Sequence, residues 1–167
     1  MRKLLAGLAL GTLLVGSTPT HAFSFTSWWS QPAQTAVAST QVTVNEVTLE
    51  VGANFTSEVA YAVGTPVSVV EAPSCHFEGT DTIYTYEDFA VYTYQQDGAN
   101  KIYIIEMFTE NVATPEGATV GMTVEQVAEL HGTGYTREGN LVTYSDDVAN
   151  TAFYVNEYNV VTGIEIF

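Results

Sequence analysis

Positively charged residues are almost absent from this sequence. Four Lys and Arg residues stand against 19 Asp and Glu residues, which gives a formal net charge of −15. Binding to nucleic acid needs Lys and Arg to displace counterions, and an anionic membrane attracts basic segments. The charge balance therefore argues against both, and it favours a partner with a neutral or basic surface.

Cysteine is also scarce: Cys75 is the only cysteine among the 167 residues. An internal disulfide is therefore impossible, and the fold must rely on its hydrophobic core. Hydrophobic residues make up 46 % of the chain and aromatic residues 12 %, which is typical of a globular protein and not of a disordered one. A chain of this length buries about two-thirds of its unfolded surface, enough for such a core.

The start of the chain has the pattern of a bacterial secretory signal peptide. A short basic start precedes an apolar run over residues 4–15, which is too short to span a membrane as a helix. Small residues up to Ala22 suit signal peptidase, so we predict that residues 1–22 are removed and that no membrane span remains. We expect residues 23–44 to form a flexible tether and residues 45–167 a single globular domain, secreted or in the cell envelope.

Two stretches of this domain, residues 45–110 and 117–167, carry the same order of predicted elements. Each begins with a helix pattern that has a threonine N-cap, Thr56 or Thr123, and that ends at a glycine. Three strand patterns follow each helix: residues 83–86, 89–94 and 101–108 in the first stretch, and residues 141–144, 151–156 and 160–167 in the second. We therefore predict an α+β fold of two tandem helix-plus-three-strand repeats, with the helices packed on one face of an antiparallel sheet.

Alternation along the last strand of each stretch predicts which side chains face inward. Glu106 and Glu165 should face water. Their neighbours should then face the helices: Ile105, Met107, Ile164 and Ile166.

Alternation leaves the orientation of four tyrosines open. Tyr84 and Tyr86 share one face of their strand, and Tyr92 and Tyr94 share one face of the next. If they face outward, they form an aromatic, acidic surface of the kind that binds proteins. If they face inward, they belong to the core, with their hydroxyl groups at its rim.

The duplicated arrangement resembles the β-lactamase inhibitory proteins and the related small lipoproteins of the outer-membrane barrel-assembly machinery. The likeness rests on the helix motif at residues 122–132 and on the final strand at residues 164–167. The segment at residues 73–81, which reads Pro-Ser-Cys-His-Phe-Glu-Gly-Thr-Asp, is similar to one in uncharacterised secreted or lipid-anchored proteins of Gram-positive bacteria. The resemblance implies a fold and an extracytoplasmic setting, but no inhibitory activity, because no partner-binding residues match.

The two stretches differ most in the connection between helix and first strand, which is longer in the first stretch. This extra segment holds Cys75, His76, Glu78 and Asp81, and loops on a rigid scaffold often carry binding groups. Cys75 and His76 could act as nucleophile and base. Adjacent residues of an extended chain point to opposite sides, however, which favours a structural cysteine beside a surface histidine.

No complete metal-binding or catalytic motif accompanies these residues. Zinc needs three or four ligands, and Cys75, His76 and the distant His131 offer too few. The acidic pairs at residues 87–88 and 146–147 could bind calcium weakly, although no calcium-loop pattern surrounds them. We therefore predict no metal site, no cofactor and no catalytic residue.

The sequence favours a non-enzymatic, extracytoplasmic protein-binding module with a partner of unknown identity. The alternatives are an enzyme or redox-active protein that uses the Cys75 loop, and an acidic structural protein with weak calcium binding. The predicted binding residues are Tyr84, Tyr86, Tyr92, Tyr94, Cys75, His76, Glu78 and Asp81.

Overall fold

The computed structural model describes residues 37–75 and 77–167. The predicted signal peptide, the first part of the predicted tether and His76 lie outside the described residues. Ten strands and two helices follow in chain order. They are β1 (Gln41–Val44), β2 (Val47–Glu50), α1 (Ser57–Ala62), β3 (Ser68–Pro73), β4 (Thr80–Thr85), β5 (Phe89–Gln96), β6 (Ala99–Met107), α2 (Val124–His131), β7 (Thr136–Glu138), β8 (Leu141–Ser145), β9 (Asn150–Val155) and β10 (Val161–Ile166).

Eight of these strands form one antiparallel sheet in the order β3-β4-β5-β6-β10-β9-β8-β7. The prediction of an α+β fold built from two helix-plus-three-strand repeats was therefore wrong. Strands hold 46 % of the described residues and helices only 11 %, so the protein is mostly β. The error arose because the helices are short and because β3 and β7, which are the edge strands, have exposed sequences without a clear hydrophobic alternation.

A separate two-stranded hairpin, β1 and β2, precedes α1. Its turn residues Asn45 and Glu46 both have positive φ, as a tight hairpin turn requires. The strand β1 consists of residues 41–44, the last part of the predicted tether. Its Val42 is fully buried together with Leu49 of β2, so the ordered domain includes this hairpin.

Both helices begin at the predicted N-caps. The Thr56 hydroxyl accepts from the amide of Val59, and at Thr123 the structure shows a full capping box with Gln126. Only α2 has buried side chains, which are Val124, Val127 and His131, whereas α1 packs partly buried residues against the core. In the described part of the chain, neither helix is long and apolar enough to cross a membrane.

The core is centred where β6 meets β10. The register pairs Ile105 with Ile166 and Met107 with Ile164, and all four side chains are fully buried. They belong to the same hydrophobic cluster as Val127 of α2. The predicted inward orientation of these four residues is therefore confirmed.

His131 is a fully buried polar residue that ties the beginning of the described chain to α2. Its Nε2 lies 3.0 Å from the Thr114 hydroxyl oxygen, and its Nδ1 lies 2.8 Å from the carbonyl oxygen of Val37. The Val37 amide in turn donates to the carbonyl of His131, and a Glu116 carboxylate oxygen lies 3.5 Å from Nε2. Both ring nitrogens therefore have partners, which burial requires.

The two faces of β6 predict a contrast between adjacent isoleucines. Ile105→Ala should lower the free energy of unfolding by about 2–5 kcal/mol, because it leaves a cavity in the core. Ile104 is half-exposed and lies on the opposite side of the strand, so Ile104→Ala should lower the free energy of unfolding by clearly less. Urea unfolding of both variants measures the difference, and equal losses would contradict this assignment of the two faces.

Candidate functional site

Tyr84 and Tyr86 lie on the helix side of the sheet. The Tyr84 ring packs edge-on against Phe55, with centroids 4.9 Å apart. Tyr86 is buried, stacks on Phe89 and donates its hydroxyl hydrogen to the carbonyl of Ala60. Burial raises the Tyr86 pKa to about 12. The core interpretation therefore holds for this pair.

Tyr92 and Tyr94 lie on the other side of the sheet, which we call the open face because no described helix or strand covers it. Both are half-buried. Tyr103 joins them, with ring centroids 6.1 Å from Tyr92 and 5.9 Å from Tyr94. The four predicted tyrosines are thus divided between the two sides of the sheet, and only the second pair is on the open face.

Tyrosines on the open face are hydrogen-bonded to carboxylates. Tyr103 donates to Asp81 at 3.0 Å, Tyr92 to Glu106 at 2.7 Å and Tyr154 to Glu165 at 3.0 Å. We call these six residues the carboxylate–tyrosine stripe. Desolvation and the neighbouring carboxylates raise the pKa of all three tyrosines, that of Tyr103 to about 12, so all three stay protonated donors at neutral pH.

Glu106 and Glu165 lie directly opposite each other at the junction of β6 and β10. Their neighbours in the same row are Ala90 on β5 and Ala152 on β9, both buried. Glu165 is half-buried, and its pKa is raised by desolvation and by the charge of Glu106, against the hydrogen bond from Tyr154. The centre of the open face therefore holds two like charges in a partly dehydrated position.

Asp81 is the one predicted loop residue that the structure places in the stripe. It lies opposite Tyr94 on the open face and is only 7 % exposed. One oxygen, Oδ2, accepts from Tyr103, whereas the buried Oδ1 has no hydrogen-bond partner. A buried acceptor without a donor lowers the stability of the fold. None of the described residues supplies a donor to Asp81 Oδ1.

The β3–β4 connection packs against the same end of the open face through Phe77. This ring stacks on Tyr94 with centroids 3.7 Å apart and meets Tyr103 edge-on at 5.4 Å. Cys75 and Glu78 in the same connection are exposed, and Cys75 forms no disulfide. Because His76 lies outside the described residues, the predicted Cys75–His76 pair stays a prediction.

The acidic pairs considered for calcium take part in turn structure. Asp146 accepts from the amides of Val148 and Ala149, both at 2.8 Å, and these bonds lower its pKa. Asp88 accepts from Thr109 and Asn111, with the same effect on its pKa. Within the described ranges, no three His, Cys, Asp or Glu side chains are placed to hold a metal ion.

Two clefts lie beside α1 on the helix side of the sheet. An apolar cleft of about 450 Å³ is lined by residues that include Phe55, Tyr61 and Tyr84. A polar cleft of about 430 Å³ adjoins Tyr86 and Asp88. Neither contains a catalytic pairing of nucleophile and base, so the open face is the stronger candidate site.

Comparison with known protein families, with curated proteins and with solved structures finds no match to this chain. The resemblance to the β-lactamase inhibitory proteins therefore stays a prediction, and the site is interpreted from its own geometry.

Sequence reasoning missed several residues of the open face. Tyr103 reaches this face because a β-bulge between Tyr92 and Thr93 leaves it as the extra residue of β6, and no sequence signal marks that bulge. Strand alternation could have identified Tyr154, because it places this side chain on the side opposite the buried Phe153. Glu165 was expected in water, but it is half-buried because Tyr154 lies against it.

The opposed glutamates predict a gain in stability when one charge is removed. A carboxyl group whose pKa is raised on folding destabilises the folded state once pH rises through that value. Glu165→Gln should therefore raise the free energy of unfolding at pH 7 by up to about 1 kcal/mol, the scale of a cross-strand pair. The gain should vanish as pH falls toward 4.5, the ordinary value for this carboxyl group.

Thermal unfolding from pH 4 to 8 measures this gain. Glu157→Gln removes the same charge from an exposed turn and serves as the control. Equal effects of the two substitutions at pH 7 would contradict a repulsive pair at the β6–β10 junction.

Proposed function

We propose that this protein is a non-enzymatic, extracytoplasmic protein-binding module and that the open face is its binding surface. The observation that carries this proposal is the group of half-buried tyrosines on the open face: Tyr92, Tyr94, Tyr103 and Tyr154. Tyrosine is enriched in protein interfaces because it offers a large apolar ring and a polar end at a low entropic cost.

The tyrosines are held in place before any partner arrives. Hydrogen bonds fix the hydroxyl groups of Tyr92, Tyr103 and Tyr154 on carboxylates, and the stack with Phe77 fixes the Tyr94 ring. A surface with its rotamers already fixed loses less entropy on binding, so more of its contact energy appears as affinity.

The charge of the surface supports a partner with a neutral or basic face. The stripe has three carboxylates, and the only Lys or Arg residues in the described part of the chain are Lys101 and Arg137. Lys101 lies opposite Tyr94 at one end of the open face. Arg137 is hydrogen-bonded to Asn159 and to the carbonyl of Gly139 in the β7–β8 region. Nucleic acids and anionic lipids would be repelled by such a face. The extracytoplasmic location follows from the predicted signal peptide.

The proposal predicts that tyrosines of the open face are needed for partner capture and that tyrosines elsewhere are not. Immobilised protein would be incubated with cell-envelope fractions, and captured proteins would be titrated for saturable binding. The double variant Tyr92→Ala/Tyr154→Ala should weaken capture at least about tenfold, as loss of central aromatic anchors does.

The matched control is Tyr61→Ala/Tyr158→Ala, because these two tyrosines are 82 % and 76 % exposed and lie off the open face. It should capture the partner as the unmodified protein does. Absence of any saturable partner, or equal capture by both double variants, would contradict the proposed function.

A further inference from the structure

The carboxylate–tyrosine stripe contains more hydrogen-bond acceptors than donors. Each of its three carboxylates receives one tyrosine hydroxyl: Glu106 and Glu165 through Oε2, and Asp81 through Oδ2. Asp81 Oδ1 is buried without a partner. A ligand cannot reach that buried atom, but the remaining oxygen of each glutamate also receives no tyrosine, so the glutamate pair suits a ligand rich in donors.

None of the six residues of the stripe is basic, and within the described residues no Lys or Arg forms an ion pair with its carboxylates. The only contact found there between a carboxylate and a basic side chain joins Glu116 to His131, on the helix side of the sheet. Lys101 lies opposite Tyr94, at the Asp81 end of the open face, about 16 Å along the strand from Glu106. The central glutamates therefore have no basic side chain of the described domain beside them.

The geometry of the glutamate pair suits a planar, forked donor. Directly opposed residues of antiparallel strands have Cβ atoms about 5 Å apart, so the two carboxylates lie in one row on the open face. A guanidinium group offers five N–H donors in a fixed plane and bridges such acceptors, whereas an ammonium group is a compact point charge. Tyr92 and Tyr154, bonded to the two glutamates, provide adjacent rings for stacking or cation–π contact.

Other occupants fit less well. A metal ion would need more ligands than this pair offers, and no group of three suitable side chains occurs in the described ranges. A second copy of the chain would bring the same excess of acids, and the like charges would repel. A basic polypeptide segment satisfies both the donor deficit and the charge.

We infer that the carboxylate–tyrosine stripe binds a polypeptide segment through an arginine side chain, whose guanidinium group lies between Glu106 and Glu165. This inference rests on the proposed function, because it names the chemical group by which the partner is held. In this inference, Glu106 and Glu165 determine which partner binds, in addition to repelling each other in the free protein.

The test is a titration of the folded protein with N-acetylarginine amide, followed by ¹⁵N-¹H NMR. Saturable shifts should be confined to residues around Glu106, Glu165, Tyr92 and Tyr154, with a Kd on the order of millimolar for so small a probe. N-acetylcitrulline amide has the same shape without the charge, and N-acetyllysine amide has the charge without the fork. Both should bind more weakly, citrulline amide by about tenfold or more.

The variants Glu106→Gln and Glu165→Gln, single and combined, should lose the arginine response while keeping the spectrum of a folded protein. The control Glu138→Gln/Glu157→Gln, which removes two exposed charges elsewhere, should keep it. Binding should also strengthen as pH rises through the Glu165 pKa, because the ionised form holds the guanidinium group.

Three outcomes would overturn the inference: no saturable shifts, an equal response to citrulline amide, or an unchanged response in the combined glutamate variant. Dimerisation of the free protein, measured by sedimentation and lost in the same variant, would assign the face to a second copy instead. Failure of the proposed function is a separate result. Partner capture could need Tyr92 and Tyr154 and yet persist without both glutamates. That result would support the proposed binding function and would contradict the inference that an arginine side chain is bound.

Discussion

A three-residue pairing between β6 and β10 is the contact on which the whole sheet depends. This pairing joins the four strands β3, β4, β5 and β6 to the four strands β7, β8, β9 and β10 in one sheet. On the helix side, the paired residues are three isoleucines and a methionine that are fully buried in the core, such as Ile105 and Ile164. On the open side, the same register brings Glu106 against Glu165. Because side chains alternate between the two sides of a strand, the register that buries the isoleucines also places the two glutamates opposite each other.

In the proposed function, the open face is a compromise between the stability of the fold and the binding of a partner. Opposed glutamates work against folding, and the fold reduces that cost by placing a tyrosine hydroxyl on each of them. The small neighbours Ala90 and Ala152 are almost fully buried, and their size leaves room for the rings of Tyr92 and Tyr154. What results is a fixed array of rings and acceptors whose unused oxygens favour a donor-rich, cationic partner.

Residues with a strong local signal could be read from the sequence, and those fixed by long-range pairing could not. Thr56 and Thr123 cap helices as predicted, and the alternation around Glu165 correctly placed Ile164 and Ile166 inward. The fold class could not be predicted, because β3 and β7 are edge strands whose exposed residues carry no periodic pattern.

The candidate site suffered from the same limit. Tyr92, Tyr94 and Asp81 were identified, but the sequence could not decide between the two sides of the sheet for any tyrosine. The position of Tyr103 on the open face depends on a bulge, which only the pairing of β5 with β6 creates.

The contact between Val37 and His131 fixes the side of the sheet on which the described chain begins. The first described residues therefore lie beside α2, on the side of the sheet opposite the tyrosines, and they leave the open face uncovered.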